Sequence, residues 1–372
     1  MFYSSPQSGT GFDPTAGPAA DSHLTHRETG LARVPVWLWK ALMVRLAPGE
    51  LHKFNADPID DVDYHFDLDY VGDGIRDHRL DVLVPHESHD DDSQDDSQQA
   101  HAGTTVEPLP VYIYFHGGGW TSGDKAPLTK YAASQAVEGM VVVNANYRMA
   151  TRFKIGHMLS DANAVLTWVT RNIREYGGDA TRIVIGGDSA GGHIAALLTA
   201  AANDEALAAH YNLDLQIEPG HLRGLVQHCS IADFSVMFER GFVLSLNFLR
   251  MLLPERSRGM SLRDAARFLS PIEWLDKGFP PVFITTSERD YFYRANLNFI
   301  EALRRRSVLV DTVIYGRHRT NTRHTWQQDA RHPESQEVYQ RLGAFVRSVA
   351  ALPAAAQGLA ASALAQPAAA LA

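Results

Sequence analysis

Ser189 stands in Gly187-Asp188-Ser189-Ala190-Gly191, between a β-branched run at 183–185 and an apolar, Ala-rich stretch at 194–202. The first reads as a buried strand and the second as a helix, so the serine falls where a strand turns sharply into a helix. Such a turn strains the serine backbone and thrusts its hydroxyl outward. It tolerates only small residues two positions to either side, which Gly187 and Gly191 supply. A serine hydroxyl becomes a nucleophile when a base takes its proton, and the base needs a third group to fix its tautomer. With the serine at such a strand-to-helix turn, the expected order along the chain is serine, acid, histidine.

Asp290 follows the strand-like run 281–286 by a few residues and is the acid of choice; Glu288 competes from two residues away. Three histidines follow the last strand-like run, 308–315. His324 ranks first as the base, His318 second and His332 third. Attack on an ester carbonyl makes an oxyanion, which needs backbone N–H groups aimed at it from a surface free of side chains. The run His116-Gly117-Gly118-Gly119-Trp120, directly after the apolar strand 111–115, suits that task. Gly117, Gly118 or Gly119 would donate together with the N–H of Ala190, each donor typically worth about 3 kcal/mol in the transition state. His116 reads as a brace for this loop. No phosphate-binding glycine pattern accompanies it, so a nucleotide site is disfavoured.

These residues need a scaffold, and the chain supplies strands alternating with helices. Apolar runs at 111–115, 141–143, 183–185, 224–230, 281–286 and 308–315 are strands. Helices fall between them: one capped by Ser160 and ended at Gly177-Gly178, others at 295–306 and 334–349. Two further strands, 62–70 and 80–84, form a hairpin through Gly72-Asp73-Gly74. The expected class is α/β: a mostly parallel sheet, helices on both faces, an antiparallel hairpin at one edge and a small helical cap from residues 231–277. Ligand sites in such sheets form at the carboxyl ends of the strands, where Ser189, the glycine run, Asp290 and His324 all fall.

The chain thus divides into a leader at 1–50, a catalytic domain at 51–350 and an Ala-rich tail at 351–372. The leader carries an amphipathic stretch at 34–46, read as a lid helix in preference to a membrane-surface one. Within the domain, residues 86–105 are an acidic, low-complexity insert, read as a charged surface loop. Aspartates at 57, 60, 61, 63, 67 and 69 lack the glycine and terminal glutamate of a calcium loop and read as solvated strand edges. No metal or cofactor site is expected.

Composition narrows the class further. A net charge of −9 over 372 residues disfavours nucleic acid and anionic membranes as partners. The single cysteine, Cys229, excludes an internal disulfide and reads as a packed core thiol. No signal peptide and no apolar run of membrane-spanning length are read, so the expectation is a cytoplasmic protein, with a homodimer left open.

The motifs at 116–125 and 187–193, taken together, resemble the hormone-sensitive-lipase-like branch of the α/β-hydrolase carboxylesterases, over about residues 62–349. The resemblance implies an α/β-hydrolase fold, hydrolysis of small acyl esters and no cofactor. It matches Ser189 to the nucleophile, Asp290 to the acid, His324 to the base, and Gly117, Gly118 and Ala190 to the oxyanion hole. Tyr291-Phe292 replaces the Pro-Leu that often follows the acid, and 316–323 is longer and more basic than usual. The same machinery would also serve an amidase or deacetylase of formamidase type. A silent ligand-binding relative, as among the gibberellin receptors, would be expected to lack a triad member.

Overall fold

The computed structural model describes residues 49, 51–86, 107–239, 245–254 and 260–353. The leader stretch 34–46, most of the acidic insert and the tail beyond 353 lie outside the described residues.

Eight strands form one sheet: β1 (Val62–Asp69), β2 (Arg79–Pro85), β3 (Leu109–Phe115), β4 (Val141–Ala145), β5 (Gly178–Asp188), β6 (Leu222–His228), β7 (Val282–Ser287) and β8 (Val310–Tyr315). Their order is β1-β2-β4-β3-β5-β6-β7-β8. β2 pairs antiparallel with both β1 and β4, and the remaining pairings are parallel. The central stretches of β3 to β7 are buried on both faces because helices cover both. Period-two alternation sorts one strand between two cores. Val111, Ile113 and Phe115 of β3 face one, while Tyr112 and Tyr114 face the other.

The helices are α1 (Thr129–Ala136), α2 (Ile155–Asn172), α3 (Ser189–Asn203), α4 (Glu205–His210), α5 (Ser245–Leu252), α6 (Leu262–Arg267), α7 (Tyr293–Arg305) and α8 (Pro333–Ala351). α2, α3 and α7 bury their apolar residues in the first core, α1 and α8 in the second. Within 231–277 the described segments are α5, α6 and two 3-10 turns, Phe234–Phe238 and Pro271–Trp274.

One helix boundary differs from expectation. Ser160 does not cap α2; it lies in the second turn, and Lys154 is the N-cap. The buried face of α2 runs upstream through Ile155, Met158 and Leu159 at helical spacing, and that burial outweighs the low propensity of Gly156. Two aspartates of the first hairpin are engaged within the fold. Asp69 accepts N–H bonds from Val71, Gly72 and Gly74, and Asp67 pairs with Lys125 at 2.8 Å.

Candidate active site

β5 ends at Asp188 and α3 begins at Ser189 with no connecting loop. The junction forces Ser189 to φ +49°, a left-handed conformation rare outside glycine and asparagine. The flanking glycines are required by backbone contacts. A Cβ on Gly187 would lie 2.3 Å from the Phe115 carbonyl oxygen, and one on Gly191 only 2.0 Å from the same atom. Helix α3 therefore rests directly on the end of β3, and the hydroxyl is carried to the rim of the sheet.

Two loops converge on that hydroxyl. Nε2 of His324 lies 3.0 Å from Ser189 Oγ, and its Nδ1 lies 2.6 Å from Asp290 Oδ1. With Nδ1 donating to the carboxylate, Nε2 is left as the acceptor for the hydroxyl. Asp290 sits in a turn three residues past β7, its N–H bonded to the Ser287 carbonyl. Thr286 Oγ1 donates to its Oδ2 at 2.8 Å, and the Phe292 N–H reaches Oδ1 at 3.2 Å. The structure brings Ser189, His324 and Asp290 together and leaves their competitors elsewhere. Glu288 is exposed and accepts the Arg317 N–H. His318 is exposed beside Gly316, and His332 lies 3.5 Å from Asp329.

The glycine loop leaves β3 with Gly118 at φ +121°, Gly119 at +59° and Trp120 at +62°. A Cβ on Gly118 would lie 1.9 Å from the Ser122 carbonyl oxygen, so the loop closes only around glycine. The three glycines are not equivalent. Gly117 donates its N–H to Asp188 Oδ1 at 2.9 Å, which occupies that donor within the protein. The N–H groups of Gly118 and Gly119 meet no acceptor among the described residues. The Ala190 N–H lies in the first turn of α3, where a helix offers no internal partner. These three donors are available to a bound oxygen.

Several residues that fix this geometry carry no motif. Asp188 also accepts from Tyr114 O–H at 2.5 Å and Gln328 Nε2 at 2.9 Å. Burial pushes its carboxyl above the usual carboxylate range, and the donors draw it back. His116 donates Nδ1–H to the Gly117 carbonyl at 2.8 Å and stacks on Tyr147, whose O–H holds the His116 carbonyl at 2.8 Å. Behind the loop, Trp120 Nε1 donates to His193 Nδ1 at 3.0 Å, and His193 Nε2 donates to the Leu269 carbonyl at 2.7 Å. Burial depresses His193 to about 4, so the ring is neutral and can serve both partners.

Cys229 is a buried thiol of the second core, as expected, and it also lies beside the site. Its sulfur lies within 4.8 Å of an Asp290 oxygen and a His324 nitrogen. Burial raises its thiol well above the usual range, foremost among the causes, and the Asp290 charge adds to this. The group is therefore a thiol and not a nucleophile. No sequence signal marks this contact, which spans two loops that meet only in the fold.

The BD-FAE family model matches residues 101–296, more than half of the chain. The carboxylesterase NlhH of Mycobacterium tuberculosis is 30% identical over 221 residues, which cover 56% of this chain and 66% of that one. Esterase LipQ of the same organism is 31% identical over 188 residues, covering 49% and 42%. The chain thus spans less than two thirds of the length of these relatives. Among solved structures, esterase B of Lactobacillus rhamnosis superposes with a TM-score of 0.72 at 19% identity, covering 87% of this chain and 97% of that one. No described helix is long and apolar enough to cross a membrane. The fold is therefore that of an α/β hydrolase, and the chain belongs to the BD-FAE family.

Proposed function

We propose that this protein hydrolyses carboxylic esters of small acyl groups, with Ser189 as nucleophile, His324 as general base and acid, and Asp290 as the group that orients and stabilises the imidazolium. The observation that carries this reading is the unbroken hydrogen-bonded run from Asp290 through His324 to Ser189, at 2.6 and 3.0 Å. Ser189 Oγ attacks the carbonyl carbon as its proton passes to Nε2. The carbonyl electron pair moves to oxygen and is held by the N–H groups of Gly118, Gly119 and Ala190. Gly117 braces that loop through Asp188 and does not donate to the substrate. The oxyanion collapses, the bond to the alcohol oxygen breaks, and Nε2 returns its proton to that oxygen. Water then enters, gives a proton to Nε2 as its oxygen bonds the acyl carbon, and the acid leaves as the bond to Ser189 Oγ breaks and Oγ takes that proton back.

Side chains and backbone donors of the chain handle every proton and electron pair in this route. A cytoplasmic setting fits the single, buried cysteine. Hydrolysis of p-nitrophenyl acetate, butyrate and octanoate by wild type and Ser189→Ala tests the reading, with an organophosphate label located by mass spectrometry. Activity should fall on the order of a million-fold in the variant, with the label on Ser189 in wild type. Folded wild type that neither turns over nor labels would refute it.

A further inference from the structure

Tyr291 is 70% exposed, more than any other large hydrophobic side chain among the described residues. Its ring centroid lies 4.9 Å from that of the His324 imidazole, at 42°. Phe292, only 8% exposed, approaches the same imidazole edge-on at 5.6 Å, and its N–H holds Asp290. The two aromatics therefore have different work. Phe292 packs the histidine and the acid into the protein, whereas Tyr291 meets the imidazole at a tilt and is largely open to solvent. Its hydroxyl has no hydrogen-bond partner among the described residues, so no bond in the fold accounts for its position.

The reaction proposed above decides which half of an ester passes this ring. The acyl half is bonded to Ser189 Oγ, with its oxygen turned toward Gly118, Gly119 and Ala190. The alcohol half must bring its oxygen within hydrogen-bond reach of His324 Nε2 to receive the proton. A group attached to that oxygen leaves beside the imidazole, whose ring neighbours the exposed Tyr291 at 4.9 Å between centroids. Aromatic rings gain from offset or edge contacts beyond the area they bury, by an amount equal to about threefold to tenfold in affinity.

We infer that Tyr291 is the platform for the alcohol half of the substrate, and that esters of aryl-alkyl alcohols are the class this site favours. The inference rests on the catalytic reading above, and the experiment separates the two. Wild type, Tyr291→Phe and Tyr291→Ala are assayed by acid release from 2-phenylethyl acetate and 2-cyclohexylethyl acetate. These esters share the acyl group and have alcohols of similar acidity. Wild type and Tyr291→Phe should prefer the aromatic ester by about threefold to tenfold in kcat/KM, and Tyr291→Ala should bring the ratio close to one, chiefly through KM. The same three proteins on ethyl acetate and ethyl butyrate should show one common acyl-length ratio.

No aromatic preference in wild type, or a preference that survives Tyr291→Ala, overturns the inference. So does an equal loss on both acetates, which marks Tyr291 as a support for His324 alone. Wild type that hydrolyses neither ester and takes no organophosphate on Ser189 overturns the catalytic reading, and this inference with it.

Discussion

Asp188 is the residue whose replacement says most about how the site is held. Its carboxylate takes hydrogen bonds from Tyr114 on β3, from Gly117 in the glycine loop and from Gln328 beyond His324, while its own backbone joins β5 to Ser189. Asp188→Ala leaves the Tyr114 hydroxyl and the Gly117 N–H buried without an acceptor. Each such group costs about 1–3 kcal/mol, part of which is recovered because a buried charge disappears too. A net loss of about 2–4 kcal/mol is expected, which lowers the melting temperature by roughly 5–10 °C.

Asp188→Asn is the informative partner. Its one oxygen can keep both Tyr114 and Gly117, and its amide nitrogen meets Gln328, whose side chain can turn over to offer an oxygen. Melting should fall by only about 3 °C, because neutral bonds replace charge-assisted ones. Activity separates the variants differently. In the proposed reaction the Gly118 and Gly119 donors act on the oxyanion, so a slack loop lowers kcat and kcat/KM together and leaves KM nearly unchanged. About a tenfold loss is expected for Asp188→Asn and about a hundredfold for Asp188→Ala, the scale of a misplacement near 1 Å. Steady-state kinetics on p-nitrophenyl butyrate with parallel thermal melts decide the matter. If Asp188→Ala keeps kcat within about threefold and melts within about 2 °C of wild type, the carboxylate is not the clamp described.

Gly191→Ala places a Cβ 2.0 Å from the Phe115 carbonyl oxygen and 2.5 Å from that of His116. It should cost about 1–3 kcal/mol and about a hundredfold in kcat, whereas Gly156→Ala on α2, 3.8 Å from Tyr211, should raise stability by about 0.5–1 kcal/mol; comparable melts and rates for the two refute the close approach. Burial holds His193 near 4 and His228 near 3, while the unfolded chain takes up these protons near 6.5. Above 6.5 this contribution is fully present. It declines as pH falls toward 4 because the unfolded state binds more protons, by about 1.4 kcal/mol per unit for each ring. The urea midpoint of wild type should therefore drop more between pH 7 and 5 than that of His193→Gln. In that difference the raised carboxyls of Asp81 and Asp188, which act in the opposite sense, cancel. Equal drops refute the assignment.

What was legible in the chain was what burial writes locally. The parallel strands announce themselves as apolar runs because both of their faces are covered, and the serine turn announces itself because only glycine fits within 2.3 Å of a backbone oxygen. Ser160 does not mark the start of α2, because a capping residue type also occurs inside helices and the burial of Ile155 and Met158 sets the boundary. The glycine run showed where donors would lie but not which of them were free. That depends on Asp188, 71 residues away, reaching back to Gly117.

The same physics explains why so much of the site's support carries no motif. The glycine loop and the loop that bears His324 are tied by polar side chains of neighbouring segments to backbone groups of the loop. Tyr147 holds the His116 carbonyl, Ser287 holds that of Thr322, Ser335 that of Trp326 and Tyr339 that of Gln327. A backbone carbonyl is present at every residue, so its partner leaves no signature in the loop's own sequence. The partner is an ordinary Ser or Tyr in a helix, strand or neighbouring loop. Sequence spacing can therefore name candidates for the groups that react, whose chemistry restricts their type. The groups that hold them within a few tenths of an ångström become visible only when the strands and helices have been brought together.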